Sequence, residues 1–209
     1  MLHRRRLLGT AVGSLLLALA PSNALATPAA RTAESVVQRL VEQVWQVLEE
    51  GKIDDRSYAQ LLPVIERQTD LSLLARLVLG RHWRQASTTQ RDEYQTLFRS
   101  FVLQTFVKRV RRYAGPNLGT VDDRFEIITS RDVSKRDVLV NSRVLPPSSP
   151  PLRVDWRLRR RAEEPVIIDL IVEGVSLLVT QRSEFAAVVE HVGLDGLITE
   201  LRSRVAQQI

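Results

Sequence analysis

Val37, Leu40, Val41, Val44, Trp45 and Leu48 recur at steps of three and one, which places all six on one stripe of a helix with Gly51 as its natural stop. A short linker, Thr27-Pro28-Ala29-Ala30, precedes it. A second helical stretch over 57–67 contains Pro63, which removes an amide donor, so two short pieces are expected there. Asp70 is placed to cap a third helix reaching Leu79, with Leu73, Leu74, Leu77 and Val78 as its apolar face. Behind the capping-box residues Ser87 and Gln90, the residues Tyr94, Leu97, Phe98, Phe101, Val102, Thr105 and Phe106 keep helical spacing to about Tyr113. At 1.5 Å per residue this helix is long enough to lie across a sheet, and Gly115-Pro116-Asn117 ends it.

The period then changes from helical to alternating. Phe125 and Ile127, then Val138, Val140 and Val144, then Val154, Trp156 and Leu158, then Ile168, Leu170 and Val172 alternate with polar or charged neighbours. This pattern predicts an antiparallel meander with one apolar face. Residues 146–151, rich in proline and serine, cannot enter a sheet interior, and 159–165 form a charged hairpin. A last helical region over 183–205 carries Phe185, Val188, Val189, Val192, Leu197, Ile198 and Leu201, with a break at Gly193. Helices, then antiparallel strands, then a closing helix define an α+β domain with helices on the apolar face of one curved sheet.

The first residues bear on compartment. Arg4-Arg5-Arg6, an apolar run from Leu7 to Ala20, and Ala24-Leu25-Ala26 have the order of a secretory leader cleaved after Ala26. Its apolar run of 14 residues is shorter than the roughly 20 that span a bilayer, so no membrane embedding is expected. Arg5-Arg6-Leu7-Leu8 also resembles a twin-arginine signal, but the general secretory route is the plainer reading. Residues 27–209 are then expected to form a single domain, stabilised by its core because the chain has no cysteine. The net charge of +6 falls to +3 without the three leader arginines, which leaves little basis for nucleic-acid binding.

Two segments carry a family likeness. Asp169, Glu173, Gly174, Val175, Ser176, Leu177, Arg182, Ser183 and Phe185 form one block; Leu79-Gly80-Arg81-His82-Trp83-Arg84-Gln85-Ala86-Ser87 with Gln90 and Phe98 forms the other. In this order they resemble the MlaC-like periplasmic phospholipid-carrier family, also called the toluene-tolerance family, over roughly residues 33–204. The Asn-Tyr pair that often precedes the Arg-Ser element in that family is Thr180-Gln181 here.

The resemblance implies an NTF2-like layout, a curved antiparallel sheet covered by helices enclosing an apolar cavity. It also implies a soluble periplasmic carrier that catalyses nothing and maintains outer-membrane lipid asymmetry. Such a carrier would shuttle phospholipid between an inner-membrane lipid ABC transporter with its membrane-anchored lipid-binding ring and an outer-membrane lipoprotein complex. The expected lining is Phe98, Phe101, Val102 and Phe106 of the long helix with Val140, Trp156, Leu170 and Val172 of the sheet. Trp83 and Phe185 would close the ends, and Leu74, Val78, Val175 and Leu177 complete the lipid-binding set. Leaving a sixteen-carbon tail in water costs about 12 kcal/mol, so the tails must be buried, while a charged headgroup belongs at the mouth.

Two further readings use the same residues differently. Asp155, Asp169, Glu173 and His191 would be the acid–base groups of an NTF2-like periplasmic enzyme, and a hopanoid-type lipid would fill an apolar pocket as well as a phospholipid. No metal-ligand spacing, nucleophile elbow or phosphate loop occurs, so neither a cofactor nor a metal is expected. The arginines at 157, 159, 160 and 161 offer either a positive rim for lipid phosphates or an acidic partner, or a solvated surface.

Overall fold

In a computed structural model, residues 27–49, 55–110, 118–146 and 149–207 are described. The leader, the stop at Gly51, the Gly115-Pro116-Asn117 terminator and the Pro147-Ser148 step of the loop lie outside them. Helix α1 is Pro28–Glu49, α2 Asp55–Gln68, α3 Leu71–Leu79, α4 His82–Gln85 and α5 Thr88–Val110. The short α6, Val121–Arg124, leads into strands β1 Phe125–Asp132, β2 Asp137–Val144, β3 Leu152–Arg159, β4 Val166–Val172 and β5 Val175–Ser176, and α7 closes the chain over Leu177–Ala206. The strands form one antiparallel sheet in the order β1-β2-β3-β4-β5, so the meander and the α+β class both hold.

Alternation puts Phe125, Val138, Val140, Val154, Trp156 and Leu158 on one face of this sheet, and α1 lies on that face through Val36, Val37, Leu40, Val44 and Leu48. The supposed linker is already helix: Pro28 occupies the first turn, where its missing amide costs nothing, and Ala30 is fully buried. Trp45 Nε1 donates to Gly119 O at 3.0 Å and pins α1 to the loop before α6. Helix α2 is one piece rather than two. Pro63 faces solvent within it, and burial of Leu61 and Ile65 against the sheet cluster offsets the lost amide bond.

Two bulges change which residues reach the core. Between β3 and β4 the register shifts so that Leu158 faces Ile167 while Arg157 faces Asp169, leaving Ile168 as the extra residue. Ile167 therefore joins the sheet cluster that alternation assigned to Ile168, while Ile168 stays buried. A shift between Ile127 and Thr129 likewise throws Ile128 toward solvent.

Helix α5 serves two cores. Leu103 and Phe106, in its C-terminal half, join the sheet cluster, whereas Tyr94, Phe98 and Phe101 pack with α3 and α7. Its start is the expected reciprocal capping box, with Ser87 N donating to Gln90 Oε1 at 3.0 Å and Gln90 N to Ser87 Oγ at 3.2 Å. Asp70 caps α3 through Leu73 N at 2.9 Å, but the buried line of that helix is Ala75, Val78 and Leu79, with Leu73 and Leu77 only half-buried. Helix α7 begins at Leu177, six residues ahead of the expected start, and does kink at Gly193, whose φ is 75°.

The other face of the sheet is a lattice of charges. Asp137, 2% exposed, accepts from Arg157 Nη2 at 2.6 Å and Arg159 Nε at 2.8 Å, and Asp155 accepts from Arg153 Nη2 at 2.7 Å. Burial works against the Asp137 carboxylate, but the hydrogen bonds from Arg159 and Arg157 outweigh it and hold its pKa below the ordinary value. A depressed folded-state pKa gives stability that is present above the unfolded value, about 4, and is lost as pH falls through the folded one. Asp137→Asn should therefore cost about 1–3 kcal/mol at neutral pH. Chemical denaturation of the two proteins at falling pH should show that gap narrowing below pH about 4.

Candidate functional site

The sheet's inner face and the helices above it make the larger of the two apolar assemblies. At its centre Trp156 Nε1 donates to Ser142 Oγ at 2.9 Å, and Ser142 Oγ donates to Val154 O at 2.6 Å, so the indole is fixed without an unpaired polar atom. Phe125 meets Trp156 edge to face with centroids 6.4 Å apart. The helical layer above is less tidy: Gln43 on α1 and Gln60 and Gln68 on α2 each bury a side-chain oxygen that has no hydrogen-bond partner among the described residues, as does Gln104 on the α7 side of α5, where its Nε2 donates to Val205 O at 3.3 Å. Unpaired buried acceptors cost about 1–3 kcal/mol each, so this layer is not a fully satisfied core.

The second assembly is filled by aromatic rings. Tyr94, Phe98, Phe101 and Phe185 stack around one another with centroids between 5.6 and 6.4 Å. Tyr94 Oη donates to Ala75 O at 3.1 Å, and burial drives its pKa far above the ordinary phenolic value.

The expected lipid-binding residues are thus divided. Phe106, Val140, Trp156 and Leu170 meet in the sheet assembly. Leu74, Val78, Trp83, Phe98, Phe101, Val102 and Phe185 belong to the helical one, because Tyr94 on the same stripe of α5 turns its aromatic side toward α3 and α7. Val172 and Leu177 are half-buried at the ends of β4 and the start of α7, and Val175 is 57% exposed at the turn between β4 and β5. Sequence reasoning missed Val36, Val37, Leu40, Leu61 and Leu103 as neighbours of the sheet's inner face. The helical stripes were visible, but not which stripe would meet the strands.

The acid–base candidates have structural partners instead of one another. Asp169 accepts from Ser176 Oγ at 2.6 Å and from Leu178 N at 2.9 Å, while Ser176 Oγ accepts from Val179 N at 3.0 Å, so the two residues jointly cap α7. Glu173 accepts from Arg153 N at 2.5 Å, Asp155 is held by Arg153, and His191 is exposed on α7. Glu173 and Gly174 have φ of 49° and 81°, the paired positive values of a two-residue hairpin turn joining Val172 to Val175. Among the described residues no group of three potential metal ligands comes together, and no helix is long and apolar enough to cross a membrane.

The basic hairpin is compensated from within. Arg157 and Arg159 clamp Asp137, Arg160 pairs with Asp132, and Arg161 pairs with Asp70. Concavities open on the surface of the described residues at two places of note. One, of about 460 Å³, lies between α2, α3, α5 and the β3–β4 hairpin and includes Glu66, Arg67, Asp70, Arg99 and Arg161. The other, of about 340 Å³, is bordered by Glu34, Gln38 and Arg39 of α1 and Ile127 of β1.

The two sequence blocks singled out earlier meet in space. Helix α3 packs on α7, and at Gly80, with φ 60° and ψ −124°, a Cβ would lie 2.9 Å from Arg182 Nε. Trp83, in the first block, lies under Arg91, whose Cζ is 5.4 Å from the ring centre and whose Nε donates to Trp83 O at 3.0 Å.

Residues 38–203 match the family model described as MlaC protein. Over 149 residues the chain is 22% identical to the intermembrane phospholipid transport system binding protein MlaC of Haemophilus influenzae; the alignment spans 71% of this chain and 66% of that protein, just under two thirds of its length. The fold is similar to that of the phospholipid-binding protein of Ralstonia solanacearum, solved in complex with a phospholipid, with a TM-score of 0.69, 23% identity and coverage of 87% of this chain and 99% of that one.

Gly80→Ala should cost about 1–3 kcal/mol, because an alanine cannot hold that backbone conformation without strain. Ser176→Ala should cost about 1 kcal/mol through the lost cap of α7. Both losses are readable as lowered melting temperatures in differential scanning calorimetry.

Proposed function

This chain belongs to the MlaC protein family, and we propose that it is a periplasmic carrier that binds phospholipid by burying the acyl chains between the sheet's inner face and the layer of α1, α2 and α5. The observation that carries this reading is the division of the interior. The helical cluster is packed around four interlocking aromatic rings, whereas the sheet assembly presents a broad apolar face beneath α1 and α2, which carry the unpaired buried acceptors of Gln43, Gln60 and Gln68. The same fold in the Ralstonia solanacearum protein holds a phospholipid, which supports the reading.

Phe106, Val140, Trp156 and Leu170 are then the tail contacts, with Val36, Leu40, Leu61 and Leu103 opposite them. Phe98 and Phe101 hold α5 against Phe185 of α7. Sixteen methylene-scale groups kept from water are worth about 12 kcal/mol, more than enough to require a chamber and more than spontaneous release permits. Handover must therefore be assisted. The leader directs the chain to the periplasm, and the receiving and donating bodies are an inner-membrane lipid ABC transporter with its anchored ring and an outer-membrane lipoprotein complex. No nucleotide-binding motif occurs in the sequence, so energy and direction come from those partners.

The protein, expressed with its own leader in a bacterial host and purified without detergent, should yield near-stoichiometric phospholipid on extraction and mass analysis. An empty but folded protein would sink the phospholipid assignment. Leu170→Trp, placed directly across from Trp156, should lower the bound lipid while leaving the circular-dichroism spectrum unchanged.

A further inference from the structure

Three arginines from three separate elements line the 460 Å³ concavity: Arg67 from the end of α2, Arg99 from the middle of α5 and Arg161 from the β3–β4 hairpin. Glu66 and Asp70 pair with Arg99 and Arg161 respectively, which leaves the group with one excess positive charge. Arg67 has no hydrogen-bond or ion-pair partner among the described residues. Asp70 is doubly committed, one oxygen capping α3 through Leu73 N and the other accepting from Arg161, so Arg161 is held in place by a residue that is itself fixed. The side chains of Arg99 and Arg161 remain about half exposed, at 53% and 45%.

Part of the lining is different in kind. Leu71 and Val166 are apolar, and Leu71 packs against the sheet assembly. One concavity thus joins a cationic rim to the edge of the apolar interior. That is the arrangement a ligand with a phosphate at one end and acyl chains at the other requires. A guanidinium carries five N–H donors, so an arginine already paired with a carboxylate can still donate to a phosphate oxygen.

We infer that Arg67, Arg99 and Arg161 form a phosphate-binding subsite, which takes either the phosphodiester of a bound lipid's headgroup or free inorganic phosphate. The inference rests on the carrier reading above and extends it, because it gives a protein that buries tails a means of fixing the headgroup. Pairing with the anion would also make lipid affinity depend on ionic strength, since these groups face solvent.

The test uses delipidated full-length mature protein and three probes: dioctanoyl phosphatidylglycerol, dioctanoylglycerol, which has the same tails without phosphate, and sodium phosphate. Binding is read from tryptophan fluorescence and by calorimetry for the wild type, Arg67→Gln, and the triple variant Arg67→Gln/Arg99→Gln/Arg161→Gln. The triple variant should bind the phospholipid roughly tenfold or more weakly, with Arg67→Gln intermediate, while dioctanoylglycerol binds all three proteins alike. Inorganic phosphate that binds the wild type and not the triple variant, with phospholipid affinity unchanged, would assign the subsite to the free ion. Equal phospholipid affinity in all three proteins and no phosphate binding would overturn the subsite while leaving the carrier reading intact. Failure of both lipids to bind the wild type would instead overturn the carrier reading and, with no phosphate binding, the subsite too. Should the triple variant not fold, Arg67→Gln decides alone, because it breaks neither ion pair.

Discussion

A five-stranded sheet with one wholly apolar face cannot stand in water, and covering that face organises the rest of the molecule. Phe125, Val138, Val140, Val154, Trp156 and Leu158 are the surface to be hidden, and α1 covers β1 and β2 while α2 and the second half of α5 complete the layer. Each fully buried aliphatic side chain contributes about 1.5–3 kcal/mol, which far outweighs the proline inside α2 and the unpaired glutamine oxygens above the sheet. The helical cluster around Tyr94 and Phe185 is closed differently, by rings that meet edge to face.

The opposite face meets water by pairing its charges. Arg153, Asp155, Arg157 and Arg159 occupy every second position of β3, so alternation alone lines them up, and Asp137 of β2 lies beside Arg157 and Arg159. The hairpin that reads as a basic cluster in the sequence is therefore largely neutralised by acids from β1, β2 and the N-cap of α3. Positive character survives where a cation lies beside a concavity, at Arg67 between α2 and α3.

The most distinctive stretch of the sequence performs local backbone work. Glu173-Gly174 turns the chain in two residues, Ser176 and Asp169 start α7, and Arg182, two turns later, lies against Gly80. The two family blocks are far apart in the chain yet form one junction, between the end of α3 and the beginning of α7. That junction fixes the helix on which Phe185 is carried, and hence the support behind α5.

The capping box at Ser87, the cap at Asp70, the kink at Gly193 and the alternation of β1 to β4 were all legible in the sequence, because each depends on residues a few positions apart. The α+β order was legible for the same reason. Pairing between distant segments was not. The bulge that brings Ile167 into the sheet cluster, the choice of α1 rather than the aromatic face of α5 to cover most of the sheet, and the compensation of the basic hairpin by Asp132, Asp137 and Asp70 all join residues that periodicity treats as independent. An apolar stripe states only that a face must be buried. Which other face buries it is decided by how all the elements pack at once, so only the tertiary structure could divide Phe106 from Phe101, one and a half turns apart on the same helix, between two different interiors.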